Sequence, residues 1–274
     1  MYINTEMMRA AGLPEDRGPQ TWTEFAQWAP RLVEANNGKP ALTVSNGSNY
    51  LDWYFQGIMW PLGGQYSQQW DLTFTHPQTI GAGRFLQDQV QKGHISVVPD
   101  GANEFGIEGA ASVLESTGSL IGIRESATFD FITTFIPSPS PSCPTGGAGL
   151  AVPAGISQRR RRIAARFADF ITSMQNTIFF SQGTGYMPVR QGAAEVPEEQ
   201  AYLKKHPNAR TALRQLGQNT RPQDMARVGI SGGGTLIGGA LDRITTGGED
   251  VERVFSEVQE KLQEIINRDI IPYQ

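Results

Sequence analysis

Four short apolar runs, Ala41 to Val44, Ala111 to Leu114, Ile132 to Ile136 and Gly149 to Val152, punctuated by glycine and proline and set between stretches of helical periodicity, constrain this chain most. Runs of about four or five residues are too short for ordinary helices and read as buried strands. The helical stretches supply their cover. Thr21-Trp22-Thr23-Glu24 has capping-box form, and Phe25, Trp28, Ala29, Leu32 and Val33 follow on one face. A second helix is predicted from near Pro77 to Val90, stopped by Gly93. A third starts at about Gln158 and carries Ile163, Phe167, Phe170, Ile171 and Met174 on one face. The longest pattern runs from Asp250 to Arg268, with Val251, Val254, Phe255, Val258, Leu262 and Ile265 at helical spacing. Shorter helices fit Thr5 to Ala11, Glu198 to Lys205, Ala209 to Leu216 and Thr235 to Thr245. The arrangement is α/β, with helices covering a sheet. Pro137 to Pro144 holds four prolines and is predicted to be a linker or surface crossing, because each proline removes a backbone donor.

At 274 residues, 39% hydrophobic and 18% charged, the chain can bury a sizeable core as one large domain or two smaller ones. A formal charge of −4 lacks the basic footprint that binding a phosphate backbone demands, which argues against nucleic acid as a partner. The run Arg159 to Arg162 reads as the solvated face of the third helix. One cysteine, Cys143, and the three histidines His76, His94 and His206 make neither an internal disulfide framework nor a zinc spacing, and no cofactor motif is present. The sequence has no apolar stretch of about 18 residues that would span a membrane. Its opening residues lack the basic and apolar regions of a secretory signal.

Two blocks set small or aromatic polar side chains on glycine-bent loops, where backbone can approach a small molecule: Glu115-Ser116-Thr117-Gly118-Ser119 and Thr184-Gly185-Tyr186-Met187-Pro188-Val189-Arg190. Neither pairs a nucleophile with a base, so the chain reads as a binder. Tyr50, Trp53, Tyr54, Phe55, Trp60 and Tyr66 form an aromatic cluster in which Tyr50, Trp53 and Tyr54 are predicted to share a helix face. Such rings usually pack a core. They also make platforms for the CH face of a polyol or for a quaternary ammonium. Gly229 to Thr235 opens a helical pattern without the lysine of a phosphate-binding loop, and Arg221 and Arg227 stand just upstream. Glu115 is one carboxylate at a strand end, where α/β ligand sites form, and supplies no mechanism alone.

Through Tyr2 to Thr5, Ala10 to Leu13, Thr21 to Phe25, Ser116 to Ser119, Thr145 to Leu150, Phe167 to Ser173, Thr184 to Arg190 and His206 to Ala209, the chain resembles the family 1 extracellular solute-binding proteins of ABC importers. Within them it is similar to the Ugp branch, which binds glycerol phosphate and glycerophosphodiesters. The resemblance implies a periplasmic-binding-protein-like (type II) clamshell that holds a small polyol, sugar or glycerophosphodiester unchanged and delivers it to ABC permease subunits. It further implies a monomer in the periplasm or on the outer face of the membrane as a lipoprotein. It places Tyr50, Trp53, Ser116, Ser119, Gly146, Gly147 and Tyr186 at the ligand. The phosphate-clamping arginine of that branch falls near Gly233 to Thr235, where this chain has none, so Arg227 or the glycine loop replaces it, or the ligand is not a phosphate. Family members also have a leader and most of a first lobe before the stretch matching Tyr2. Residues 1–134 and 183–274 are then expected to form the second lobe, with 135–182 a returning strand and helix of the first. That division leaves Ile163, Phe167, Phe170 and Ile171 with little to pack against. Two alternatives stand beside this reading: a hydrolase of a glycoside or phosphodiester using Glu115 or Asp52, and a non-functional truncated remnant.

Overall fold

In the computed structural model, which describes residues 1–273, a five-stranded sheet organises the molecule. Along the chain its strands are β1 (Tyr2–Asn4), β2 (Leu42–Ser45), β5 (Ile95–Val98), β6 (Ser112–Val113) and β7 (Phe131–Thr133), in spatial order β5-β2-β6-β1-β7. β2 runs parallel to β5 and β6, while β1 is antiparallel to β6 and β7. Small pairs flank this sheet: β3 (Ser67–Gln68) with β4 (Asp71–Leu72), and β8 (Cys143–Thr145) with β9 (Thr220–Pro222).

Three of the four predicted strands form. The fourth, Gly149 to Val152, does not: no strand lies beside it, and Leu150 and Val152 are exposed. β1 and β5 escape the sequence reading. β1 is only three residues long, and its burial comes from neighbours brought in from residues 112–113 and 131–133. The proline-rich crossing is irregular until Cys143, where three residues pair with β9 as a free-standing two-stranded ladder that tolerates Pro144.

The helices start where capping side chains satisfy the free first-turn N–H groups. Asn4 caps α1 (Thr5–Ala10), Thr21 caps α2 (Trp22–Ala35) by accepting from the Glu24 amide, and Asp250 caps α13 (Val251–Asp269). Between them come α3 (Leu51–Met59), α4 (Pro77–Gln91), α5 (Gly101–Gly106), α6 (Leu120–Ser126), α7 (Gln158–Ile171), α8 (Met174–Thr184), α9 (Pro197–Lys205), α10 (Pro207–Gln218), α11 (Met225–Val228) and α12 (Gly233–Thr245).

Both sheet faces are covered, as the alternation along a strand demands. On one side Ile3, Leu42 and Val44 join Trp22, Phe25, Phe55, Ile58, Phe74, Leu241 and Phe255 in the main core. On the other, Tyr2 and Val113 pack with Phe105, Leu120, Ile123 and Phe129 beneath α5 and α6. The motif His206 to Ala209 finds a structural role at the open edge of β7. Asn208 accepts from the Thr133 N–H and donates to the Phe131 carbonyl, which occupies backbone groups that an edge strand otherwise leaves free.

Residues 147–171 contain no buried residue. No residue of α7 is buried, and Ile163, Phe167 and Phe170 are 57%, 60% and 64% exposed. On either side the chain rejoins the body: Ile136 lies in the main core, β8 pairs with β9, and Thr177, Ile178 and Ser181 of α8 are buried.

Candidate ligand-binding site

The carboxyl ends of β2 and β6 feed the two segments that build the site, Asn46 to Tyr50 into α3 and Leu114 to Ser119 into α6. A crevice outside the carboxyl ends of parallel strands is where open α/β sheets hold ligands. Tyr50 sits at φ +75°, in the left-handed region, and α3 begins one residue later. Its predicted place on the helix face is therefore corrected: Tyr50 caps the helix from outside, the residue 57% exposed and its ring edge-on to Trp53 at 6.0 Å between centroids.

The first turn of α3 then sends three consecutive side chains to three different elements, because successive helical residues point about 100° apart. Asp52, buried, meets Arg227 Nε at 2.5 Å. Trp53 donates its indole N–H to the Pro144 carbonyl at 3.0 Å, which ties α3 to β8. Tyr54 donates its hydroxyl to Glu115 Oε1 at 2.5 Å, which ties α3 to the end of β6. Burial, and then the Glu115 charge, push the Tyr54 phenol far above its usual range, so it remains a neutral donor. Burial also raises the Asp52 carboxyl above 3.8, against the pull of the Arg227 guanidinium.

Trp53 is held on several sides. Arg227 stacks on the indole with its guanidinium carbon 5.1 Å from the ring centroid, and Gln223 holds that guanidinium by accepting from Nη1 at 2.5 Å. At the far edge of the ring runs the Gly146 backbone, so close that a Cβ there would fall 2.2 Å from the indole. Only glycine fits this approach. Gly147 is in open space.

The Ser116 to Ser119 loop is pinned at its start. Ser116 donates its N–H to Glu115 Oε1 at 2.7 Å, its carbonyl accepts from the Tyr2 hydroxyl at 2.8 Å, and its own hydroxyl accepts from the Gly118 N–H. Over Gly118 lies the Tyr186 phenol, within 2.4 Å of where a Cβ would stand. Tyr186 in turn stacks on Phe180 of α8 at 6.2 Å and 5°. Ser119 precedes α6 with its side chain free of any capping bond.

The structure thus links Tyr50, Trp53, Gly146 and Arg227 in one group, and Ser116 with Tyr186 through Gly118 in a second. Tyr54 and Glu115 join the two. Tyr54, Gly118 and Gln223 are the members that sequence reasoning missed. Tyr54 stood in the aromatic cluster and Gly118 in the quoted loop, whereas Gln223 carried no signal. Arg227 lies at the site with its charge already answered by Asp52. A side chain at position 234, in the stretch where the branch has its arginine, would meet the Asp52 carboxylate at 2.8 Å. Two concavities elsewhere, of about 510 Å³ beside Arg124, Phe129 and His206 and about 380 Å³ beside Leu203 and Arg210, contain none of the predicted site residues. The candidate site is an open face rich in rings and bent main chain.

An α/β body with a face of this kind is the scaffold of a solute-binding protein, and the chain belongs to the bacterial extracellular solute-binding protein family, whose sequence profile matches residues 1–211. Among solved structures it is similar to UgpB from Mycobacterium tuberculosis in complex with glycerophosphocholine, at 45% identity and a TM-score of 0.93, over 98% of this chain and 69% of that one. Among curated relatives it is 27% identical over 229 residues to the sn-glycerol-3-phosphate-binding periplasmic protein UgpB of Escherichia coli K12, covering 79% of this chain and 52% of that protein. Its counterpart in Salmonella typhimurium LT2 is 25% identical over 98% of this chain and 65% of its own length. A cyclic alpha-maltosyl-1,6-maltose binding protein from Arthrobacter globiformis, 19% identical with a TM-score of 0.74, shares the fold. The chain therefore spans about half to two thirds of the length of these curated relatives.

Proposed function

We propose that this chain is the larger part of the solute-binding component of an ABC importer and that its open face takes a glycerophosphodiester or related small polyol without altering it. The observation that carries this reading is the face itself. Trp53, Tyr50 and Tyr186 offer rings, and Gly146 and Gly118 bring main chain close, in a chain 45% identical to a protein solved with glycerophosphocholine. Ring faces bury the CH side of a polyol, and loop hydroxyls and N–H groups take its oxygens. Asp52 is held in an ion pair and Glu115 by a phenol, an arrangement for fixing loops and rings.

The exposed α7 face supports the expected division of 1–134 and 183–274 from 135–182 only over residues 147–171, since Ile136, β8 and the buried side of α8 pack with the rest of the chain. Closure of the second lobe over the site excludes water in this scheme, and permease subunits at the outer face of the membrane receive the ligand. In the full-length protein, Trp53→Ala weakens calorimetric affinity for glycerophosphocholine by about tenfold or more, roughly 1.4 kcal/mol. Unchanged affinity removes Trp53 from the site.

A further inference from the structure

The charge balance of this face is uneven. Arg227 and Asp52 cancel each other at 2.5 Å. Glu115, half-buried at the end of β6, has no such partner: among the described residues its carboxylate forms no ion pair, and its described bonds, from the Tyr54 hydroxyl and the Ser116 N–H, both fall on Oε1. Neither donor is cationic. The Met1 ammonium is within electrostatic reach of Glu115, but burial lowers it to about 6 and leaves it largely neutral near pH 7. A carboxylate that is partly withdrawn from water and bonded to no cation is poorly balanced until something positive approaches it. The surroundings limit what that can be. Glu115 is bonded to one ring, Tyr54, whose helix neighbour is Trp53, and is followed by the loop on which Tyr186 lies. A quaternary ammonium has no N–H to donate. It is satisfied by aromatic faces and a nearby diffuse negative charge.

We propose that Glu115 is a specificity-determining residue that supplies the counter-charge to the cationic group of a zwitterionic glycerophosphodiester, with Tyr54 fixing its carboxylate. This rests on the functional reading above and goes beyond it by assigning a ligand group to a residue.

Glu115→Gln tests it cleanly, because the amide oxygen still accepts from Tyr54 and Ser116 while the charge is gone. In the full-length protein, titration calorimetry with glycerophosphocholine and with glycerophosphoglycerol, which has no cation, separates the possibilities. The expected result is about tenfold or greater loss for glycerophosphocholine and less than about threefold change for glycerophosphoglycerol. Equal loss for both ligands, or no loss for either, overturns the assignment and leaves the proposed function standing, the former result making Glu115 a hydroxyl acceptor. Failure of the unaltered protein to bind either diester overturns the functional reading and this inference together. A thermal midpoint for Glu115→Gln close to that of the unaltered protein shows that any loss is not one of folding.

Discussion

Helices α13 and α7 both carry an apolar stripe at helical spacing. In α13 the stripe of Val251, Val254, Phe255, Val258, Leu262 and Ile266 is buried against α4 and α12, with the Phe255 ring edge-on to Phe74 at 5.9 Å. In α7 the stripe of Ile163, Phe167 and Phe170 faces outward; α8 packs beside the helix and Asp169 meets Arg190 at 3.7 Å. Amphipathicity fixes which side of a helix seeks a partner. It says nothing about whether the partner is present, and most helical stability in proteins comes from that partner. The same contrast runs through the site, where side chains tied to the body (Trp53, Tyr54, Asp52) are fixed while Tyr50 and Tyr186, on the open side, are 57% and 49% exposed.

The largest expected break between the two regions is in the core. Phe255→Ala costs about 3–5 kcal/mol in denaturant unfolding, whereas Phe170→Ala stays within about 0.5 kcal/mol. A large loss at Phe170 would mean that α7 is packed in solution. The border between the regions gives the next effect. Gly146→Ala forces a methyl into the Trp53 ring and costs about 1–3 kcal/mol, with a change in tryptophan fluorescence, while Gly147→Ala, in open space, is near neutral. Equal behaviour of the two glycines would erase that border.

The smallest effect concerns the charges joining α12 to α13. Guanidinium hydrogen bonds from Arg243 and then Arg253 lower Glu249 from 4.5 to about 2. A depressed folded-state pKa means that this stabilisation is present above pH 4.5 and is lost as pH falls toward 2. Glu249→Gln therefore lowers the thermal midpoint slightly at pH 7, and the difference from the unaltered protein closes in acid and shrinks in high salt. A difference that persists unchanged at pH 2 would assign the effect to packing.

Much of the fold was legible because burial periodicity is local. The helices over Trp22–Ala35, Pro77–Gln91 and Val251–Asp269, and the strands at Leu42–Ser45 and Ser112–Val113, follow from caps and apolar spacing alone. The family resemblance was legible too, in short glycine-bearing blocks whose order matters more than any one of them. β1 and β5 were not, since three or four residues gain their meaning only from the strands beside them. Gly149 to Val152 misled for the same reason, having strand composition and no neighbour to pair with.

By itself the sequence determined which faces are apolar, where helices begin and which residues carry rings, hydroxyls and charge, since these are properties of side chains and their spacing. The tertiary structure decided that Arg227 is paired with Asp52, that Glu115 takes the Tyr54 hydroxyl and the Ser116 N–H rather than an ion-pair partner among the described residues, that Gly146 lies against Trp53 and that α7 is left uncovered. Each of these depends on segments far apart in sequence meeting in space. Pairing energies and steric exclusion act over a few ångströms, and only the folded chain sets those distances.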